Sequence, residues 1–148
     1  MRKLLSLVVL LIAAYVGRDH LDLRDEATST APSTGPSRDS SAVATAFDER
    51  RSGVQVEDEG VVVKVLPDDD DGNRHQRFIL KLTSGQTVLI AHNIDLAPRV
   101  PELARDDRIA FFGEYEWNEQ GGVVHWTHHD PGGRHVGGWL RREGRKFD

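Results

Sequence analysis

The stretch TVLIAHNIDLAPRVPELARDDRIAFFGEYEW, Thr87–Trp117, decides the fold of this chain. It opens with Val88, Leu89, Ile90 and Ala91, which are apolar on both faces of an extended run, as in a central strand with neighbours on either side. It closes with Ile109, Phe111, Tyr115 and Trp117 in two-residue phase around Gly113, where a bulge or tight bend is expected. Between them, Ala97 to Asp107 contains Pro98 and Pro101 and leaves room for one short helical turn.

On either side the text is short β-type runs separated by turn residues. VEDEGVVVKVLP, Val56–Pro67, puts Val61, Val63 and Val65 on one face and Val62 and Lys64 on the other. DDDDGNR, Asp68–Arg74, is a loop with a turn glycine, and HQRFILKL, His75–Leu82, sets Phe78, Leu80 and Leu82 opposite His75, Arg77, Ile79 and Lys81. After the turns TSGQ and NEQGG, VVHWTHH reads as the fifth strand. Five strands whose one irregular connection joins the third to the fourth have the order of a small Greek-key barrel of the oligonucleotide/oligosaccharide-binding (OB) type. The expected fold is therefore all-β, with the barrel over residues 53–148; a two-sheet sandwich needs more strands. Ala42–Arg51 has the composition for two helical turns before Ser52-Gly53, and the tail after Pro131 is too glycine-rich for a long helix. That tail reads as a flap packed back through Trp139 and Leu140.

Before the barrel the chain changes character twice. Arg2 and Lys3 precede thirteen residues, Leu4–Val16, of which only Ser6 is polar. As a helix this run spans about 20 Å, short of a bilayer core of roughly 30 Å, and its basic leader matches a signal-peptide apolar segment. Residues 1–17 are accordingly expected to be a signal peptide or short membrane anchor, with the protein exported to the periplasm or held on the inner membrane facing it. Residues 18–52 read as a Ser/Thr/Pro-rich tether that buries too little apolar surface to offset its ordering entropy.

The first 52 residues balance seven basic against seven acidic side chains, so the net charge of -5 falls on residues 53–148. Such a domain is no broad trap for nucleic acid, and an anionic ligand would need a local cluster. The absence of cysteine excludes disulfides, thiolate metal sites, a cysteine nucleophile and a lipoprotein anchor.

The densest chemistry is VVHWTHHDPGGRH, Val123–His135. Strand alternation would send His125, Thr127 and His129 to one face and Trp126, His128 and Asp130 to the other. Residues two apart lie about 7 Å apart, so His128 and Asp130 could share an ion; His125 and His129, about 13 Å apart, could not. A closed site must recruit from other strands, and His75, His92 and His128 form the candidate metal set, suited to zinc with an open water position. The same three histidines with Asp130 are the candidate catalytic groups. Arg74, Arg77, Arg99 and Arg134 supply guanidinium forks for phosphate or carboxylate. Gln76, Asn93, Asp95, His125, His129 and Trp117 complete the ligand-binding candidates, Asp95 and Asp130 because a carboxylate beside an imidazole fixes its tautomer. Glu114 and Glu116 share a face and suit either an acid/base pair or a solvated surface. Trp117, Trp126, Trp139 and Tyr115 could stack on bases or sugars, with Trp126 read as core. The acidic loop lacks the spacing of a calcium hand, and no GxSxG, P-loop, GxGxxG or SxxK element is present.

The phrases HQRFIL, IAHNIDLAPR, GEYEWN, HWTHHDP and GWL, in this order over residues 53–147, resemble the bacterial family called domain of unknown function 3465. The resemblance implies a short exported protein with a barrel-like domain and brings no catalytic assignment with it.

Three functions compete. The first is an exported binding module for a small anionic, nucleotide-like or glycan-like ligand. The second is a metal-dependent or histidine-based hydrolase of phosphodiesters. The third is an envelope-stress or scaffold protein without a ligand.

Overall fold

A computed structural model describes residues 41–148; the apolar run Leu4–Val16 and most of the tether lie outside them. No helix among the described residues is long and apolar enough to cross a membrane. The compact unit begins at Ser41, so the short helix belongs to the folded domain and not to a tether ending at residue 52. This helix, α1 (Ala42–Asp48), starts where the Ser41 hydroxyl accepts from the Ala44 N–H, and it seats Val43 and Ala46 in the core. Trp117 clamps its far end: the indole stacks on Phe47 and donates to the Phe47 carbonyl at 3.1 Å, and Arg50 lies over the ring.

The rest is mostly β. Strands β1 (Val54–Asp69), β2 (His75–Leu82), β3 (Thr87–Asn93), β4 (Arg108–Glu116), β5 (Val123–His125), β6 (Trp139–Arg142) and β7 (Arg145–Phe147) form one sheet in the order β1-β2-β3-β5-β4-β6-β7. The sheet order also folds back on itself, because β1 pairs with β4 through Val54–Val61 and with β2 from Gly60 onward. Strand β1 runs on to Asp69, past the expected end at Pro67, which sits in a register shift where no ladder donor is needed. Strand β3 is central, as its two apolar faces require, with β2 antiparallel on one side and β5 parallel on the other.

One face of each long strand meets in the core: Val56 and Val62 from β1, Phe78, Leu80 and Leu82 from β2, Val88 and Ile90 from β3, Ile109, Phe111 and Tyr115 from β4. In β1 it is therefore the Val62 face that is inward, and Val65 is exposed. The long connection 94–107 forms turns and no helix, and plugs the core end with Val100. The buried Gln76 amide holds it there by mimicking a peptide, donating to the Val100 carbonyl and accepting its N–H, both at 2.9 Å.

Two features shape the site. The C-terminal flap is a hairpin: Glu143 and Gly144 both have positive φ, the geometry of a two-residue turn, and Leu140 and Phe147 enter the core. The expected fifth strand stops at His125. Strands β5 and β6 run in the same direction along β4, opposite Glu116–Glu114 and Phe112–Ala110 respectively. Residues 126–138 are thus an excursion from an interrupted strand, emerging opposite Gly113. No bulge exists at Gly113; it is glycine because a Cβ there would lie 2.5 Å from the His125 carbonyl.

Candidate functional site

On the face of the sheet turned away from the core, His75 of β2 stands opposite Asn93 of β3, and His125 of β5 stands opposite Glu114 of β4. A cavity of about 190 Å³ opens there, lined by Asn73, His75, Ala91, Asn93, Leu96, His125, Trp126 and His128. The sheet supplies His75, Ala91, Asn93 and His125, and loops supply the rest.

The 126–138 excursion is tightly organised. Trp126 takes φ 54, which ends the strand alternation; His125 and His128 consequently line the same cavity, and Thr127 turns into the core. Asp130 accepts the backbone N–H groups of Gly132, Arg134 and His135 at 2.7–2.8 Å, which holds its carboxyl below the usual carboxylate range. His128, 3% exposed, points Nδ1 at the His129 carbonyl at 2.8 Å; a carbonyl only accepts, so Nδ1 carries a proton and donates. His135 lies on Trp126 with ring centroids 4.0 Å apart, and the rings of His128 and His125 flank the same indole at 5.4 and 6.4 Å.

Beside the cavity, the carboxylates of Glu114 and Glu116 and the ring of His125 bring one ligand atom each to within 4.8 Å of one another. His125 Nε2 is 3.7 Å from Glu114 Oε1 and 3.9 Å from Glu116 Oε1, buried and without a hydrogen-bond partner. Burial lowers the ring's affinity for protons, against the pull of the two carboxylates. The other oxygen of Glu114, Oε2, receives His135 Nε2 at 2.8 Å and the Gln55 amide at 3.3 Å.

Of the expected metal set, His75 and His128 share the cavity and His92 does not. Gln76, and not His75, is the cross-strand partner of His92, so His92 falls on the core side with Phe78 and Ile90. Its ring is 0% exposed and both nitrogens are committed: Nε2 donates to the Pro98 carbonyl at 3.1 Å, and Nδ1 therefore accepts from the Thr127 hydroxyl at 2.9 Å. Burial pushes its pKa down to about 4. His92 is a neutral structural histidine and no metal or catalytic group. Asp130 is engaged by the loop backbone and is not among the residues that line the cavity.

The arginine cluster also disperses. Arg74 pairs with Asp95, whose carboxyl is held low by the Arg74 backbone and side-chain donors. Arg77 is buried and donates to the Pro67 carbonyl, with Asp69 at 3.9 Å, and Arg99 pairs with Asp68. Arg134 is exposed on the excursion over Gly132, and His129 is exposed on the same excursion. Gln76 and Trp117 serve the core plug and α1, and Tyr115 is buried with its hydroxyl on the Gly121 carbonyl. Trp126, expected in the core, is half-buried on the cavity wall. Asn93 and His125 alone of the ligand-binding candidates line the cavity. Asn73, His135 and the pairing of Glu114 and Glu116 with His125 escaped the sequence reading, although the shared face of the two glutamates was visible.

No curated protein is matched by this sequence. A family model described as "Protein of unknown function (DUF3465)" matches residues 27–148, which takes in every described residue. With that much of its length matched, the chain belongs to the DUF3465 family.

Proposed function

We propose that the chain is an exported binding domain of the OB type whose cavity holds a single neutral polar ring, the sugar unit of a glycan. The observation that carries this reading is the lining of the cavity: three imidazoles, two primary amides and an indole, gathered from three separate parts of the chain. Imidazole and amide groups both donate and accept, as sugar hydroxyls do, and an indole offers an apolar edge to a sugar's C–H face. At about 190 Å³ the cavity lies below the roughly 300 Å³ at which drug-sized sites begin, which suits one ring. Phosphate-bearing ligands are less favoured, because Arg74, Arg77 and Arg99 are committed to Asp95, Pro67 and Asp68 and the domain is acidic.

The OB-type Greek-key reading is supported by the pairing circuit β1-β2-β3-β5-β4 returning to β1, with the one long connection between β3 and β4. Export is supported by the basic leader and apolar run at residues 2–16.

The test is amide chemical-shift mapping of the full chain against monosaccharides and nucleosides. Sugar-dependent shifts centred on Asn93, His125, Trp126 and His128, weakened tenfold or more in His75→Ala and Asn93→Ala, support the reading. Shifts centred elsewhere, or nucleoside binding without sugar binding, overturn it. Turnover of a phosphodiester would favour the hydrolase, and silence toward every probe the scaffold.

A further inference from the structure

We propose that Glu114, Glu116 and His125 form a binding site for one divalent transition-metal ion of the zinc or manganese kind, adjoining the cavity. The proposal does not rest on the glycan reading; it stands on the donor geometry and on an imbalance of charge and hydrogen bonding.

Glu114 and Glu116 are two apart on β4 and lean over the same neighbour, His125, on β5. A tetrahedral ion with bonds of about 2.0–2.2 Å sets its donors roughly 3.4 Å apart. The His125 to carboxylate separations of 3.7 and 3.9 Å exceed this by a few tenths of an ångström, within reach of small side-chain rotations. His125 Nε2 is enclosed, yet has no hydrogen-bond partner. An imidazole nitrogen left so between two carboxylate oxygens is a vacant donor that converges with them on one point.

Charge points the same way. Two half-buried carboxylates converge here, and the cation-capable neighbour, His135, approaches the Oε2 edge of Glu114, away from the atom that faces His125. Gln55 donates to that same Oε2. Metal-binding carboxylates are typically held in this manner, one oxygen fixed by outside donors and the other presented to the ion. His135 is itself fixed by its stack on Trp126 and by Nδ1 on the Val136 carbonyl, so it is a positioning residue for Glu114. The imidazole donor favours zinc over calcium and magnesium, the two carboxylates also suit manganese, and three protein donors leave a position for water or a ligand oxygen.

The full chain, purified without an affinity tag and stripped with chelator, is titrated calorimetrically with zinc, manganese and magnesium. One zinc or manganese per chain, with affinity falling at least a hundredfold in Glu116→Gln and in His125→Gln and unchanged in His129→Ala, is the expected result. His135→Ala should weaken binding about tenfold and His135→Asn, which keeps a donor, should recover most of that. Circular dichroism on each variant separates lost binding from lost folding. Absence of stoichiometric binding by the folded protein overturns the site, as does binding that survives Glu116→Gln and His125→Gln but disappears in His75→Ala or His128→Ala. Sugar mapping can fail while the metal titration succeeds, and the reverse, so the two readings stand or fall apart.

Discussion

His135 lies face to face with Trp126, ring planes 8° from parallel, while its Nε2 reaches Glu114 Oε2 at 2.8 Å. One imidazole thereby ties the 126–138 excursion to strand β4 through a stack and a hydrogen bond to a carboxylate. Stacked rings contribute about 0.5–1.5 kcal/mol beyond area, and hydrogen bonds to charged groups about 1.5–3. His135→Ala should lower the unfolding free energy by about 1–3 kcal/mol in urea titrations, whereas exposed His129→Ala should change it by less than about 0.5. Equal values for the two variants would dissolve the tie.

His92 gives the fold a pH dependence of definite sign. Its pKa is about 4 in the fold against 6.5 for a free imidazole, so between these values the unfolded chain binds more protons. Stability is complete above about pH 6.5 and declines as pH falls toward 4, by about 3 kcal/mol in all. Burial of His125 adds a smaller slope of the same sign. Asp95 and Asp130, both held low, contribute above their ordinary pKa of 3.8 and lose their effect only below it, outside this window. Urea titrations at pH 7, 5.5 and 4.5 should show the decline in the wild type and most of it removed in His92→Gln. A parallel decline in that variant would reject the assignment.

How much of this was legible follows from where alternation survives. Ile109, Phe111 and Tyr115 announce both β4 and its inward face, and all three are buried in phase. Strand β3 hides its parity, because it is apolar on both faces; His75 and His92 therefore read as neighbours although the one-residue offset in register puts them on opposite sides of the sheet. After His125 the two-residue rhythm still runs through the text, but φ at Trp126 is positive and the rhythm no longer describes the chain. Nothing in the letters HWTHH marks that turn. The β6–β7 hairpin was readable in principle, since Glu143-Gly144 between Trp139–Arg142 and Arg145–Phe147 is a two-residue loop.

Gly138 is where the excursion rejoins the sheet. A Cβ there would lie 2.1 Å from the Trp126 carbonyl oxygen and 2.2 Å from that of Phe112, backbone on both sides, so no side-chain rotation relieves it. The Gly138 N–H also donates to the His128 carbonyl at 2.9 Å, which fixes the same contact. Gly138→Ala should cost on the order of 3 kcal/mol or more and loosen the cavity wall, against little change for Gly133→Ala in its open surroundings beyond the strain of its positive φ. Thermal unfolding of the two variants checks the contrast, and comparable losses would contradict the close approach.

Asp130 was a candidate catalyst, and its geometry argues a different test. Its two oxygens receive three backbone N–H groups, from Gly132, Arg134 and His135, which leaves the loop without those acceptors once the carboxylate is gone. Asp130→Ala should therefore speed hydrogen exchange of those three amides by at least tenfold while leaving β2 and β3 amides protected. Asp130→Asn retains one strong acceptor oxygen and should fall between. If His135 loses its anchor, its ring leaves Trp126 and Glu114 together, so the variant should also weaken any metal held by Glu114, an effect transmitted through the loop and not through a lost ligand. Unchanged exchange at Gly132, Arg134 and His135 in Asp130→Ala would show that the excursion holds its shape without the carboxylate, and the stack on Trp126 would then be its principal support.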